Sequence, residues 1–195
     1  ISIIGSNVTL EAGTTYVDAG ATASDNNDGD ITSSIQVSGV TNINNNKNVP
    51  GSYSVVYSVV DAAGNSANNV VRTVNIIDTT KPIITSGTSG NDLDENSGAG
   101  QQIYQITATD IVGVVSYHIE SSDASLLSVN SSSGQVYLTA NPDYENKHNY
   151  SFVVYAKDAA GNESLRKTVT FAINDIKPTI TSSANGNTLV ENTGA

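Results

Sequence analysis

Two stretches of the chain alternate apolar and polar residues with a period of two, and they superimpose without a gap. The first is Tyr53-Ser-Val-Val-Tyr57-Ser-Val-Val-Asp61-Ala-Ala-Gly-Asn65, the second Tyr150-Ser-Phe-Val-Val-Tyr155-Ala-Lys-Asp158-Ala-Ala-Gly-Asn162. A period of two predicts strands with one buried face, here Tyr53, Val55, Tyr57 and Val59, and again Tyr150, Phe152, Val154 and Ala156. Asp-Ala-Ala-Gly-Asn then predicts a tight turn, because Asp and Asn bond their own backbone and Gly accepts positive φ. A second strand follows each turn, at 70–77 and 168–173, and each copy closes on Lys-Pro, at Lys81-Pro82 and Lys177-Pro178. Pro lacks an N–H, which suits a connector between sheets. A third landmark opens each copy: Leu10-Glu11-Ala-Gly, Leu93-Asp-Glu95-Asn-Ser-Gly and Leu189-Val-Glu191-Asn-Thr-Gly. Glu191 therefore reads as the start of a third module.

Short alternating strands and regular turns over about 80 to 100 residues predict two antiparallel β-sandwiches of about seven strands each, with no long amphipathic helix. Pro50-Gly-Ser-Tyr53 further predicts a tyrosine corner, with Val55 at the place a disulfide-bonded domain gives to Cys. The expected boundaries are 1–78 for the first sandwich, 79–82 for the linker and 83–175 for the second. Residues 176–195 are read as a linker and the first strand of a truncated third module.

Composition narrows the function. Cys, Met and Trp are absent, hydrophobic residues make up 37%, and nine Tyr stand against two Phe, so the cores are thin and built from Val, Ile and Tyr. Without Cys there is no disulfide, thiolate nucleophile or Cys–zinc site. The net charge is −11, spread over both halves, which argues against nucleic acid or an anionic membrane as partner. No apolar run approaches the ~20 residues that span a bilayer, and no signal segment opens the chain, which reads as a soluble piece of something longer. His118 lies in an alternating strand and His148 in a polar turn, with no Ser/His/Asp pattern around them, so both are read as structural and no enzyme activity is expected.

Two resemblances rest on quoted motifs. Residues 82–175 resemble a cadherin repeat through Leu93-Asp-Glu95-Asn, Ala108-Thr-Asp110, Ser133-Gly-Gln-Val-Tyr-Leu138, Asp143-Tyr-Glu145, Tyr150 to Asp158, and Asn174-Asp175, in the family's order. Residues 3–78 resemble the bacterial Ig-like domain of pesticidal crystal proteins and large surface proteins, through Asp18-Ala-Gly-Ala-Thr-Ala-Ser-Asp25, Asp28-Gly-Asp30-Ile-Thr and Val49-Pro-Gly-Ser-Tyr53. The fold these imply is all-β, a tandem of Ig-like and cadherin-like antiparallel β-sandwiches. Such strings are similar to the extender regions of giant bacterial adhesins at the cell surface.

Strand order alone sorts the carboxylates to the module ends. Glu95, Asp143, Glu145 and Asp175, with Asn174, fall at the lower end of the second module; Asp110 and Asp158 fall at its upper end, expected to face Glu11 and Asp78 of the first. Clustered carboxylates without nearby Lys or Arg repel one another and call for a cation, and an all-oxygen donor set on flexible loops suits Ca²⁺ better than Zn²⁺ or Mg²⁺. The cadherin resemblance implies calcium at these same positions. The family's Asp-x-Asp is reduced here to Asp110-Ile-Val112, and its linker to Asn174-Asp175-Ile176, so fewer ions per junction are expected than the family's three. Asp25-Asn-Asn-Asp28-Gly-Asp30 is not an EF-hand loop, since Gly29 at loop position 6 would put Ser24 first and Ile35 last; an Asx-rich turn is the reading, and the alternative is an ion site to which Asp61 would add a fourth acid. The expected function is a calcium-stiffened structural or adhesive repeat whose partners are neighbouring modules. The alternatives are a recognition module for carbohydrate or for a like module on another cell, and an accessory domain of a secreted enzyme.

Overall fold

Val70 to Ile77 alternates inward and outward over eight residues, and in the computed structural model it is the strand around which the first sheet is built. The structure describes residues 1–120 and 122–177, together with the backbone of 179–183 and 186–190. The chain divides into two compact units, Ile1–Thr80 and Lys81–Ala195.

Unit 1 contains β1 (Ser2–Ile3), β2 (Val8–Glu11), β3 (Ala21–Thr22), β4 (Ser24–Asp25), β5 (Gly29–Asp30), β6 (Gln36–Ser38), helix α1 (Val40–Asn45), β7 (Gly51–Ser58) and β8 (Val70–Ile77). Its main sheet has the order β2-β8-β7-β6. Pairing is antiparallel except that β2 runs parallel to β8, with Val8 opposite Val74 and Glu11 opposite Ile77. β1 pairs with β3, and β4 with β5. Val55, Tyr57, Val59, Val74 and Ile76 are buried, as the alternation predicts. The Tyr53 hydroxyl donates to the Val49 carbonyl at 2.9 Å, forming the expected tyrosine corner.

One inward position on β8 breaks the apolar pattern. Arg72 shares the parity of Val74 and Ile76 and is 1% exposed. Its guanidinium donates to the Asp18 carboxylate, to the Tyr16 hydroxyl (3.1 Å) and to the carbonyls of Gly20 (3.0 Å) and Ile4. Tyr16 and Tyr57 also donate to Asp18. Burial by itself raises the Asp18 pKa, but the Tyr57 and Tyr16 hydroxyls and the Arg72 charge outweigh it and hold the carboxyl below its ordinary range. This polar lock fastens the chain around β1 and β3 onto the main sheet. Helix α1 is the other feature absent from the sequence expectation: six residues that bury Ile43 and follow Gly39 at φ 100°.

Unit 2 contains β9 (Ile83–Ile84), β10 (Leu93–Asp94), β11 (Gln101–Gln105), β12 (Ala108–Thr109), β13 (Val114–Glu120), β14 (Leu127–Val129), β15 (Gln135–Leu138), β16 (Asn149–Asp158), β17 (Lys167–Asn174), β18 (Thr179–Ser183) and β19 (Gly186–Val190). A four-stranded sheet, β10-β17-β16-β13, packs on the three-stranded sheet β11-β15-β14 over one apolar core that includes Ile103, Val136, Phe152, Val154 and Val169. Tyr150 and Phe171 stack at 4.6 Å within it. β10 again runs parallel to its neighbour, β17. β18 and β19 pair antiparallel with each other; the Glu191 landmark lies outside the described residues.

Candidate metal centre

The repeated turn builds the same device in both units. Asp158 Oδ1 accepts from the Asn162 amide at 2.9 Å and Oδ2 from the Asn162 side chain at 2.8 Å; Asp61 does the same with Asn65 at 2.8 and 2.8 Å. Each Asp is thereby fixed at the head of its turn with its oxygens retaining unused lone pairs. Asp110 caps the turn after β12 through one oxygen, Oδ1, which accepts from Val112 (2.8 Å) and Gly113 (3.1 Å). Its other oxygen, Oδ2, is buried without a hydrogen-bond partner among the described residues. Carboxylate oxygens of Asp110 and Asp158 lie within 4.8 Å of each other. Two carboxylates at that separation, with one oxygen buried and unbonded, suit a divalent cation with oxygen ligands.

At the other end of unit 2, Glu95 is buried at the exit of β10. Its amide donates to the Asn174 carbonyl (3.1 Å) and its Oε1 accepts from Ile176 (2.8 Å), while Oε2 is buried and without a hydrogen-bond partner among the described residues. The neighbouring Asn96 amide donates to the Pro142 carbonyl at 2.9 Å, which draws the loop of Asp143 and Glu145 to this end. Asp143 is half-buried and accepts from the Asn146 amide; Glu145, Asn174 and Asp175 are exposed, and Asn174 donates to Asp94. Among the described residues, no three carboxylates of this set converge.

In unit 1, Glu11 ends β2 and Asp78 follows β8. Glu11 accepts from the amides of Thr79 (2.8 Å) and Thr80 (3.0 Å) and from both hydroxyls, and these bonds, the Thr79 amide first, hold its carboxyl below the ordinary range. Asp78 is 7% exposed and accepts from Thr80. Asp25 accepts from the amides of Asn27 and Asp28, and Asp30 from Thr32, the expected Asx turns. Asp28 reaches the Ala62 amide, tying this loop to the Asp61 turn.

Residues 1–76 match the family model described as bacterial surface protein, Ig-like domain, and residues 91–174 match that of the cadherin domain. An Ig-like domain precedes a cadherin-like repeat. No curated protein is recognisably similar to the sequence. Among solved structures, human CDH23 EC21-23 is 25% identical over 67% of this chain and 51% of its own, with a TM-score of 0.46. Mouse clustered PcdhgC3 EC1-3 is 15% identical over 89% of this chain and 67% of its own, with a TM-score of 0.48. The chain spans 27% of the protocadherin gamma B2 fragment of domains 1-5 and 34% of the protocadherin gammaB7 fragment EC3-6. Cadherin domains generally bind calcium, and domains of both families are typically non-enzymatic adhesive or structural modules of surfaces. No helix of the described residues is long and apolar enough to cross a membrane.

Both histidines of the cadherin-like unit pack on tyrosines: His148 tilts against Tyr144 at 5.1 Å, and His118 stacks on Tyr155 at 4.8 Å. The cluster around Tyr155, on the outer face of β13 and β16, was not singled out by the motifs. The signal available for it was parity, since Tyr155 and Lys157 alternate with the buried Val154 and Ala156.

Proposed function

We propose that the chain is a calcium-stiffened structural and adhesive repeat of a bacterial surface or secreted adhesin, an extender between an anchor and a binding tip. The observation that carries this reading is the Asp110–Asp158 pair, two fixed carboxylates within 4.8 Å of each other with the Asp110 Oδ2 buried and lacking a hydrogen-bond partner among the described residues. Glu11 and Asp78, at the end of unit 1, are given the same ligand role by the sequence. Glu95, with its own buried unbonded oxygen, is the anchor for an ion at the opposite end, assisted by Asp143, Glu145, Asn174 and Asp175. The bound cation supplies positive charge that removes the repulsion between these carboxylates. Asp158 and Asp110 hold their oxygens in place through the turns they cap, so little ordering remains to be done on binding. The reading assigns the chain no catalytic role.

Small-angle scattering in calcium and then in chelator tests this. Extracellular calcium modules bind on the order of 10⁻⁴ to 10⁻³ M. At about ten times the dissociation constant, one site adds roughly 1.4 kcal/mol to the liganded state, enough to restrict the angle between the modules. Calcium is expected to narrow the distribution of particle dimensions of the wild type and to leave Asp158→Ala unchanged. Identical wild-type profiles in the two conditions would reject stiffening by calcium.

A further inference from the structure

Glu11 and Glu95 belong to the same opening landmark of the two modules, and the structure puts them to different uses. Each lies at the end of the strand that runs parallel to the last strand of its unit, Glu11 opposite Ile77 and Glu95 just past the Asp94–Asn174 pair. Parallel partners leave a sheet in the same direction, so each side chain is set beside the segment that departs from its own unit. Glu95 accepts from the Ile176 amide through Oε1 (2.8 Å), and its Oε2 is buried without a hydrogen-bond partner among the described residues. Glu11 has both oxygens engaged. Its Oε1 accepts from the amides of Thr79 (2.8 Å) and Thr80 (3.0 Å) and from the Thr80 hydroxyl (2.8 Å), and its Oε2 from the Thr79 hydroxyl (2.9 Å).

The sequence supplies the reason for the difference. Asp78 is followed by Thr79 and Thr80, each with an amide and a hydroxyl to give, whereas Asp175 is followed by Ile176 and Lys177, which have no hydroxyl. Three hydrogens already converge on the Glu11 Oε1, and a cation approaching that oxygen meets their positive ends. Displacing them would strip hydrogen bonds from the segment that leaves the unit. The base from which Glu11 reaches is itself fixed, since the Ala12 amide donates to the Ile77 carbonyl (2.8 Å) and the Thr14 amide to the Glu11 carbonyl (3.1 Å). Asp78, 7% exposed, is a second acceptor for the Thr80 amide at 3.2 Å.

We propose that Glu11 is a metal-free clamp, a positioning residue that fastens Thr79 and Thr80 to the first unit and is not a ligand of a cation. The chain divides into its two units directly after Thr80, so both clamped residues belong to the first. Thr79 and Thr80 are exposed, with no buried side chain to hold them, and their order comes from the four bonds to Glu11. The first unit thereby carries the start of its connector in a fixed conformation with or without calcium. Glu11 leaves the ligand set read from the sequence, while Asp110 and Glu95 keep their buried, unbonded oxygens. The clamp therefore stands apart from the calcium reading, and either can fail without the other.

Amide hydrogen exchange of the whole nitrogen-15-labelled chain, followed by NMR in chelator and then in calcium, tests the clamp. The Thr79 amide is the cleaner probe, because Asp78 shares the Thr80 amide. In chelator both amides are expected to exchange at least about tenfold more slowly than the same residues in an unfolded chain, and calcium is expected to change these rates by less than about twofold. Glu11→Ala is expected to return the Thr79 amide to the unfolded rate while the β8 amides keep their protection and report a folded unit. Glu11→Gln retains one acceptor oxygen, and the double variant Thr79→Val with Thr80→Val retains the amides without the hydroxyls; both are expected to lie between. Were Glu11→Ala to lose the β8 protection as well, Glu11→Gln decides by the same comparison. Protection that appears only in calcium, protection that calcium removes, or a Thr79 amide indifferent to the Glu11 substitution would each overturn the clamp. Scattering profiles indifferent to calcium, with Thr79 protected in chelator, would reject the calcium reading and support the clamp.

Discussion

Removing the Arg72 guanidinium is expected to unfasten the Ig-like unit while leaving the cadherin-like unit intact. Arg72→Met keeps most of the aliphatic volume but deletes donors to four groups: Asp18, Tyr16 and the carbonyls of Ile4 and Gly20. Breaking a buried ion pair from one side costs about 3–5 kcal/mol, and orphaned carbonyls add to it. Asp18 keeps its two tyrosine donors and can take up a proton, which places Arg72→Met near the lower end, about 3 kcal/mol. Asp18→Ala leaves a buried guanidinium that cannot shed its charge, and is expected to cost more, about 4–5 kcal/mol. A unit the size of Ile1–Thr80 has a total stability of roughly 4–12 kcal/mol, so either change consumes a large share. Urea unfolding followed by tyrosine fluorescence suits a chain without Trp. At about 1 kcal/mol per molar urea, the Arg72→Met midpoint of the first unit falls by about 3 M, with the second unit's transition unmoved. The double variant Asp18→Asn with Arg72→Met is expected to recover part of the loss, since it leaves no unpaired charge. A single-variant loss below about 0.5 kcal/mol, or strict additivity in the double variant, would refute the lock.

Acid should act on the same network. Asp18 has a folded-state pKa below its ordinary 3.8, so its contribution is present above that value and fades as the pH falls through the lower folded-state one. The wild-type first unit therefore loses stability as the pH falls below Asp18's ordinary 3.8, and Asp18→Asn, less stable at pH 7, shows a shallower slope there; equal slopes would contradict this. Gly134→Ala sets a Cβ 2.5 Å from the Ile106 carbonyl oxygen at φ 77° and is expected to cost the second unit about 2–3 kcal/mol by calorimetry. Gly98→Ala, at φ 102° in open space, is expected to cost about 1 kcal/mol from backbone strain alone. Tyr53→Phe removes the hydrogen bond to Val49 and should lower the first unit's stability by about 1 kcal/mol with its fold unchanged in circular dichroism.

What the sequence determined by itself was local. The period of two placed Val55, Tyr57, Phe152 and Val154 inside, because successive residues of a strand face opposite sides. Asp-Ala-Ala-Gly-Asn dictated its own turn twice, because Asp61 and Asp158 bond groups four residues away. The tyrosine corner was legible for the same reason, its hydroxyl reaching only from Tyr53 to Val49. Helix α1 was not legible, since six residues with one buried apolar anchor, Ile43, carry no helical period. Tertiary structure alone decided the parallel pairing of β2 with β8 and of β10 with β17, each joining strands from opposite ends of a unit. It also decided the burial of Arg72. The parity of Arg72 with Val74 marked it as inward, but a guanidinium is tolerable there only because Asp18, Tyr16 and Gly20, more than fifty residues away in sequence, converge to bond its two terminal nitrogens, leaving Nε buried without a partner among the described residues. The carboxylates followed the same division. Strand order sorted Asp110 and Asp158 to one end of a unit, and the folded turns brought their oxygens within 4.8 Å and left the Asp110 Oδ2 buried and unbonded, because which lone pairs a turn consumes depends on how the chain closes around it.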